Sequence, residues 1–138
     1  MREILFKAKK VDNGEWVVGQ YVNTCYPGND KETWHFIVVY PNEYHEIYTS
    51  TLCQFTGLCD IYGNKIWEND IVNTNSNLRA QIKFGLYSNS FSTRKYHQGF
   101  YMDFMDNEYY RHELGYWAGK SVVIGNIFDN KELLQEAE

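Results

Sequence analysis

Apolar and polar side chains alternate with period two through much of this chain, and residues that turn a backbone break the alternation at short intervals. Met1 to Ala8 reads as a strand, Asp12-Asn13-Gly14 as a tight reversal, and Glu15 to Val22 as the strand that returns from it. Pro27-Gly28-Asn29-Asp30 predicts an exposed loop from Asn23 to Glu32. Thr33 to Tyr40 is β-branched and aromatic, a third strand that Pro41-Asn42 ends, and Tyr44 to Leu52 supplies another. In the second half Ala80, Ile82 and Phe84 fall on one face of a strand while Arg79, Gln81 and Lys83 fall on the other. Gln98 to Phe104 predicts a further strand, Asn107 to Trp117 fits either a loop or a short helix, and Ser121 to Ile127 predicts a late strand. Asp129, with Glu132 three residues on, has the form of a capping box opening a short helix through Leu133-Leu134.

Turn chemistry is densest between Gln54 and Val72. Asp60 offers a side-chain acceptor at the head of a turn whose end, Gly63-Asn64, tolerates positive φ. Glu68-Asn69-Asp70 is a second reversal, with Asn69 the residue best able to sit left-handed, and it delivers Ile71-Val72 as the start of a strand. Dense corner-turning of this kind closes small sheets into barrels.

This segment resembles the core motif of the YopX-like family of bacteriophage and prophage proteins. Thr56-Gly57-Leu58, Asp60, Ile66, Glu68 and Asp70-Ile71-Val72 fall on the family pattern, while Phe55, Tyr62 and Asn69 depart from it. Asn69 replaces a glycine with the other residue that accepts αL readily, so the turn survives the departure. Met1 to Ala8 and Val123 to Leu134 are also similar to the family, so the resemblance brackets the chain and leaves roughly 22–52 and 73–122 unmatched. It implies a phage or prophage accessory protein and brings no biochemical activity with it.

The expected fold is therefore mainly β: an N-terminal antiparallel sheet module over 1–52, offering an oligomerisation surface, then a small SH3-like β-barrel with a short C-terminal helix over 53–138. A chain of 138 residues is long enough to bury a core in one domain or in two small modules. Its 12 Tyr, 8 Phe and 4 Trp suit pleated sheets and also interfaces, which favours self-association. The formal net charge is −5, of which residues 129–138 carry −3, so the body is nearly balanced. Coating duplex DNA by phosphate neutralisation calls for a more basic chain. Cys25, Cys53 and Cys59 are odd in number and form no Cys-x-x-Cys pair. With no signal peptide and no membrane-length apolar run, they read as free thiols of a cytoplasmic protein in a bacterial host.

Candidate chemistry is sparse. Asp60, Glu68 and Asp70 lie within one motif and would serve a hydrolase or a divalent metal if they converged. Asp60 and Asp70 equally suit backbone hydrogen bonding in turns, which is the reading adopted here: no enzyme, no catalytic residue, no cofactor and no metal. His35, His45, His97 and His112 lack ligand spacing, and Cys53 with Cys59 makes half a zinc site at most. Gly57 and Gly63 lack the lysine and hydroxyl of a phosphate loop. From Ile71 to Met102 there is no acid, and Arg79, Lys83, Arg94 and Lys95 are interleaved with Phe84, Tyr87, Phe91, Tyr96 and His97. Cations for phosphates and rings for bases make single-stranded nucleic-acid binding the alternative function, with Arg79, Lys83, Arg94, Lys95, Tyr87 and Tyr96 as its residues. The leading expectation is a non-enzymatic module that self-associates and presents its barrel to a phage or host protein.

Overall fold

The hairpin predicted at Asp12-Asn13-Gly14 forms as its residues dictate. Gly14 takes φ +73, its N–H bonds to the Lys10 carbonyl at 2.8 Å, and the Lys10 N–H bonds to the Glu15 carbonyl at 2.9 Å. The reversal joins β1 (Phe6–Lys9) to β2 (Trp16–Tyr26) in an antiparallel pair. The computed structural model describes residues 3–26, 29–88, 95–105 and 111–134, with backbone alone at 25–26 and 29–32. It is mainly β, with antiparallel pairing throughout and one short α-helix, and it divides into two compact units, Met1–Phe55 and Thr56–Glu138.

In the first unit β2 pairs with β3 (Asn29–Val39), and β3 with β4 (Glu43–Glu46). The loop expected over 23–32 is instead strand on both sides. Thr24 pairs with Trp34, and after a register shift Tyr26 pairs with Asn29, because the β-favouring residues beyond Val22 carry the ladder up to the Pro27-Gly28 link, which lies outside the described residues. The strand expected over 44–52 is shorter than predicted. It stops at Glu46, and a 3-10 turn, Thr49–Thr51, follows because the Thr51 hydroxyl donates back to the Tyr48 carbonyl at 2.6 Å. A bridge between Lys10 and Ile47, with the Tyr48 N–H on the Lys9 carbonyl at 2.9 Å, brings the chain leaving β4 back to the end of β1. β1 also pairs with the first residues of β5 (Cys53–Cys59), Lys7 opposite Cys53. The inner face of these strands packs fully buried Ala8 and Ile37, with Ile47, against Phe6, Val17, Tyr21, Val39 and Leu52.

The second unit opens with the end of β5 beside β6 (Lys65–Trp67). Its main sheet runs β10-β7-β8-β9, built from β7 (Asp70–Thr74), β8 (Arg79–Tyr87), β9 (His97–Phe104) and β10 (Ser121–Asn126). Alternation along β8 buries Ala80 and Ile82 completely, against Val72, Met102, Phe104 and Ile66. Phe84 continues the same row but runs past the core and is 52% exposed. The uncertain stretch before Trp117 resolves as α1 (Leu114–Trp117), whose Leu114 and Trp117 cap the core, and the Trp117 indole N–H donates to the Arg111 carbonyl at 2.6 Å. Residues 107–110 of that stretch lie outside the described residues. The C-terminal helix is one 3-10 turn, Lys131–Leu134. In the turn that precedes it, Asn126 Oδ1 accepts the N–H groups of Phe128 and Asp129 at 2.9 Å each, and the Leu133 N–H bonds to the Asn130 carbonyl at 3.0 Å.

Candidate functional site

The motif of residues 56–72 is a pair of locked turns. Thr56 Oγ1 donates to the Ile66 carbonyl at 2.7 Å and accepts the Leu58 N–H at 3.2 Å, around Gly57 at φ +86. Asp60 is buried and spends both carboxylate oxygens: Oδ1 takes the N–H groups of Tyr62 and Asn64 at 2.9 Å each, and Oδ2 takes the Val123 N–H at 3.0 Å. Burial alone would raise its pKa, but these backbone donors, with the Asn64 amide, outweigh burial and hold the carboxyl below its ordinary range. Asp70 Oδ2 accepts the Trp67 N–H at 2.8 Å, closing the second turn over Asn69 at φ +70. Ile66, Ile71 and Val72 are fully buried, Leu58 is exposed and Glu68 half-buried. Among the described residues no three His, Cys, Asp or Glu side chains group to hold a metal.

The sheet sets Arg79, Lys83 and Tyr87 of the basic and aromatic window on one face and Phe84 on the other. Arg79 Nη1 donates to the Leu133 carbonyl at 3.1 Å, which ties the C-terminal turn to β8. Lys83 pairs with Asp103 at 2.7 Å, and that hydrogen bond raises the lysine pKa. Tyr87 lies 5.3 Å from the Tyr101 ring, and burial, with the Glu113 charge added, pushes its hydroxyl pKa up. These residues share the outer face of β8–β9, while Phe84 stands on the opposite face, edge-on to Phe100 at 5.0 Å. Lys95 and Tyr96 are exposed, and Arg94 and Phe91 lie outside the described residues. Arg111 is paired with Glu113, so the face gathers acids as well as cations.

The histidines stay apart. His35 Nδ1 meets the Tyr21 hydroxyl at 2.6 Å, His45 lies 3.3 Å from Glu43, His97 lies beside the Tyr87 ring, and His112 Nδ1 faces the Met102 carbonyl at 3.0 Å. The Cys53 thiol is buried and donates to the Thr51 carbonyl at 3.3 Å, Cys59 is exposed, and the Cys25 side chain lies outside the described residues.

A surface that sequence reasoning located only as a module is the outer face of β2–β3–β4. Val18, Val22, Trp34 and Tyr44 are exposed there, beside half-buried Phe36 and Val38, on the side opposite the Ala8–Ile37 core. The signal was present in the chain: Phe36 to Val39 is continuously apolar, which marks a strand with apolar side chains on both faces. Trp34 and Phe36 stack along this face with centroids 6.1 Å apart.

A family model described as YopX protein matches residues 5–135. Among solved structures, the crystal structure of protein EF1440 from Enterococcus faecalis is similar in fold, with 20% identity over 98% of this chain and 100% of that chain and a TM-score of 0.50. No curated protein matches the chain. Among the described residues no helix is long and apolar enough to cross a membrane.

Proposed function

This chain belongs to the YopX family, and on that premise we propose that it is a phage or prophage accessory protein of the host cytoplasm, not an enzyme, which self-associates through its N-terminal sheet and presents its second unit, a small SH3-like barrel, to a protein partner. The observation that carries this reading is the outer face of β2–β3–β4, where Val18, Val22, Trp34 and Tyr44 stand in water although the strands already have a buried core on their other side. A monomer has no use for two apolar faces on one ribbon.

A second copy is the occupant that suits this surface. Val22, Phe36 and Val38 lie there with Gln20 and Thr24, and the carboxylate, Glu46, stands opposite Phe36 on the β4 side, so the apolar part of the patch is complementary to itself with the charge at its rim, as a two-fold interface allows. β2 and β3 are 11 residues each, roughly 36 Å of ribbon. A non-enzymatic role is supported by the motif carboxylates, since Asp60 and Asp70 are committed to backbone N–H groups in separate turns. Light scattering on the full chain tests the proposal: a dimer at micromolar concentration is expected, and a strict monomer removes self-association. The single-stranded nucleic-acid alternative loses ground to the Lys83–Asp103 and Arg111–Glu113 pairs. A gel shift at low and moderate salt separates it from the leading reading, since only the alternative predicts a salt-sensitive complex.

A further inference from the structure

Within the first unit, the chain leaving β4 opens a cleft of about 430 Å³ at the margin of the outer apolar face, with which it shares Trp34. Its floor is fixed by backbone bonds on both sides: the Ile47 N–H to the His35 carbonyl at 3.1 Å, and the Val11 N–H to the Glu46 carbonyl at 2.9 Å. Two of its walls are aromatic. Trp34 is 36% exposed and Tyr48 49%, and the Tyr48 hydroxyl reaches the Val11 carbonyl at 3.4 Å, which limits how the ring can turn. The His35 ring is likewise held, stacked on Tyr21 with centroids 5.9 Å apart and bonded to its hydroxyl.

The charge in this lining belongs to Glu46, an exposed carboxylate, and among the described lining residues there is no lysine or arginine. Lys9 gives its carbonyl to the Tyr48 N–H at this place, yet its ammonium lies 5.4 Å from the Trp16 ring. An anionic ligand would meet Glu46 head-on, and a neutral apolar one would bury the carboxylate without a partner. A planar cation suits this lining by chemistry: a guanidinium face stacks on an indole or phenol ring, and its N–H fork pairs with a carboxylate. An ammonium stacks less well and offers no fork. We infer that the cleft is a guanidinium site, formed by Trp34, Tyr48 and Glu46 over the Ile47 backbone, for an arginine side chain or a free alkylguanidine. The volume lies within the roughly 300–1,000 Å³ of ligand sites. The inference does not require self-association.

The test is a titration of the full chain followed by amide NMR shifts, with Nα-acetyl-arginine amide, agmatine and Nα-acetyl-citrulline amide as probes. Both guanidinium probes should bind with dissociation constants on the order of 1 mM and move the amides of Ile47 and Tyr48. Glu46→Gln, a substitution at an exposed position, should weaken their binding about fivefold, and the neutral citrulline probe should bind the parent about fivefold more weakly than they do. Trp34→Leu should weaken them about threefold. Tighter binding of the arginine amide than of agmatine assigns the site to a polypeptide, and the reverse order assigns it to a free small molecule. Equal affinity for the citrulline amide, an unchanged affinity in Glu46→Gln, or the lack of a saturable shift at these amides overturns the inference.

Discussion

Asp60 Oδ2 accepts the N–H of Val123 at 3.0 Å, a bond between residues 63 positions apart. The same carboxylate shapes its own turn through Tyr62 and Asn64, and the Ile61 N–H adds a bond to the Ser121 carbonyl at 3.1 Å. One side chain thus couples the β5–β6 reversal to the edge of β10. Asp60→Ala should destabilise the protein by about 3 kcal/mol, because three backbone donors lose a charged acceptor in a site with little water. Urea unfolding checks this as a lower midpoint at unchanged m.

The same geometry fixes a pH dependence. The folded carboxyl binds its proton at lower pH than the ordinary value of 3.8 that it has when unfolded. Stability from Asp60 is therefore fully present above about pH 4 and is lost as pH falls through the lowered folded value, since protonation then favours the unfolded chain. Asp60→Asn should flatten the fall of the unfolding midpoint below about pH 4 relative to the parent. A parallel profile for the two proteins would show that other carboxylates set the acid limb.

Local turn chemistry was readable where one or two residues suffice. Asp12-Asn13-Gly14 reverses the chain and Asn69 occupies the left-handed region at φ +70, as their positions in the sequence predicted, and Ala80 and Ile82 were placed in the core by period two alone. Bonds across the fold were not readable. Nothing near Arg79 in the sequence points to the Leu133 carbonyl 54 residues away, and Lys83 meets Asp103 only because register sets Gln81 opposite that acid. The acid-free window of residues 71–102 was a correct reading of the chain, and folding then supplied the acids from the next strand. The same limit hid the ladder through 23–26, where pairing with β3 overrides the loop composition of Pro27-Gly28-Asn29-Asp30.

Gly19 tests backbone crowding. A Cβ placed there would stand 2.3 Å from the Val38 carbonyl oxygen, a backbone atom of the paired strand. Gly19→Ala should cost about 1–3 kcal/mol as β2 and β3 are forced apart. Gly115, in α1 with open space around it, is the control, and Gly115→Ala should raise stability by about 0.5–1 kcal/mol. Thermal unfolding should move the two variants in opposite directions.

Asn69 tests the second turn. Its N–H bonds to the Ile82 carbonyl at 2.8 Å and its carbonyl accepts the Ile127 N–H at 3.1 Å, so the residue must stay at φ +70. Asn69→Ala should destabilise by about 1–2 kcal/mol through left-handed strain. Asn69→Gly accepts the conformation without strain and should fall between the parent and the alanine variant, losing the Gln81 amide contact at 3.3 Å. Equal losses in the two variants would locate the cost in that side-chain contact and not in the backbone.

Val22 tests the proposed self-association and the surface that would carry it. It pairs with Phe36 at the centre of the outer face of β2–β3–β4 and is 42% exposed, so a long polar side chain can be carried there without entering the core. Val22→Lys should leave the unfolding midpoint within about 0.5 kcal/mol of the parent and should convert the dimer to monomer at the same concentration, because two like charges meet at the middle of a symmetric contact. Phe84, exposed on the second unit, is the comparison: Phe84→Ser removes an apolar group of similar accessibility and should leave the mass of the assembly unchanged. If Phe84→Ser dissociates the assembly and Val22→Lys does not, self-association belongs to the β8–β9 face of the second unit. Sedimentation velocity on both variants and the parent decides between the two faces, since each variant alters one surface and spares the other.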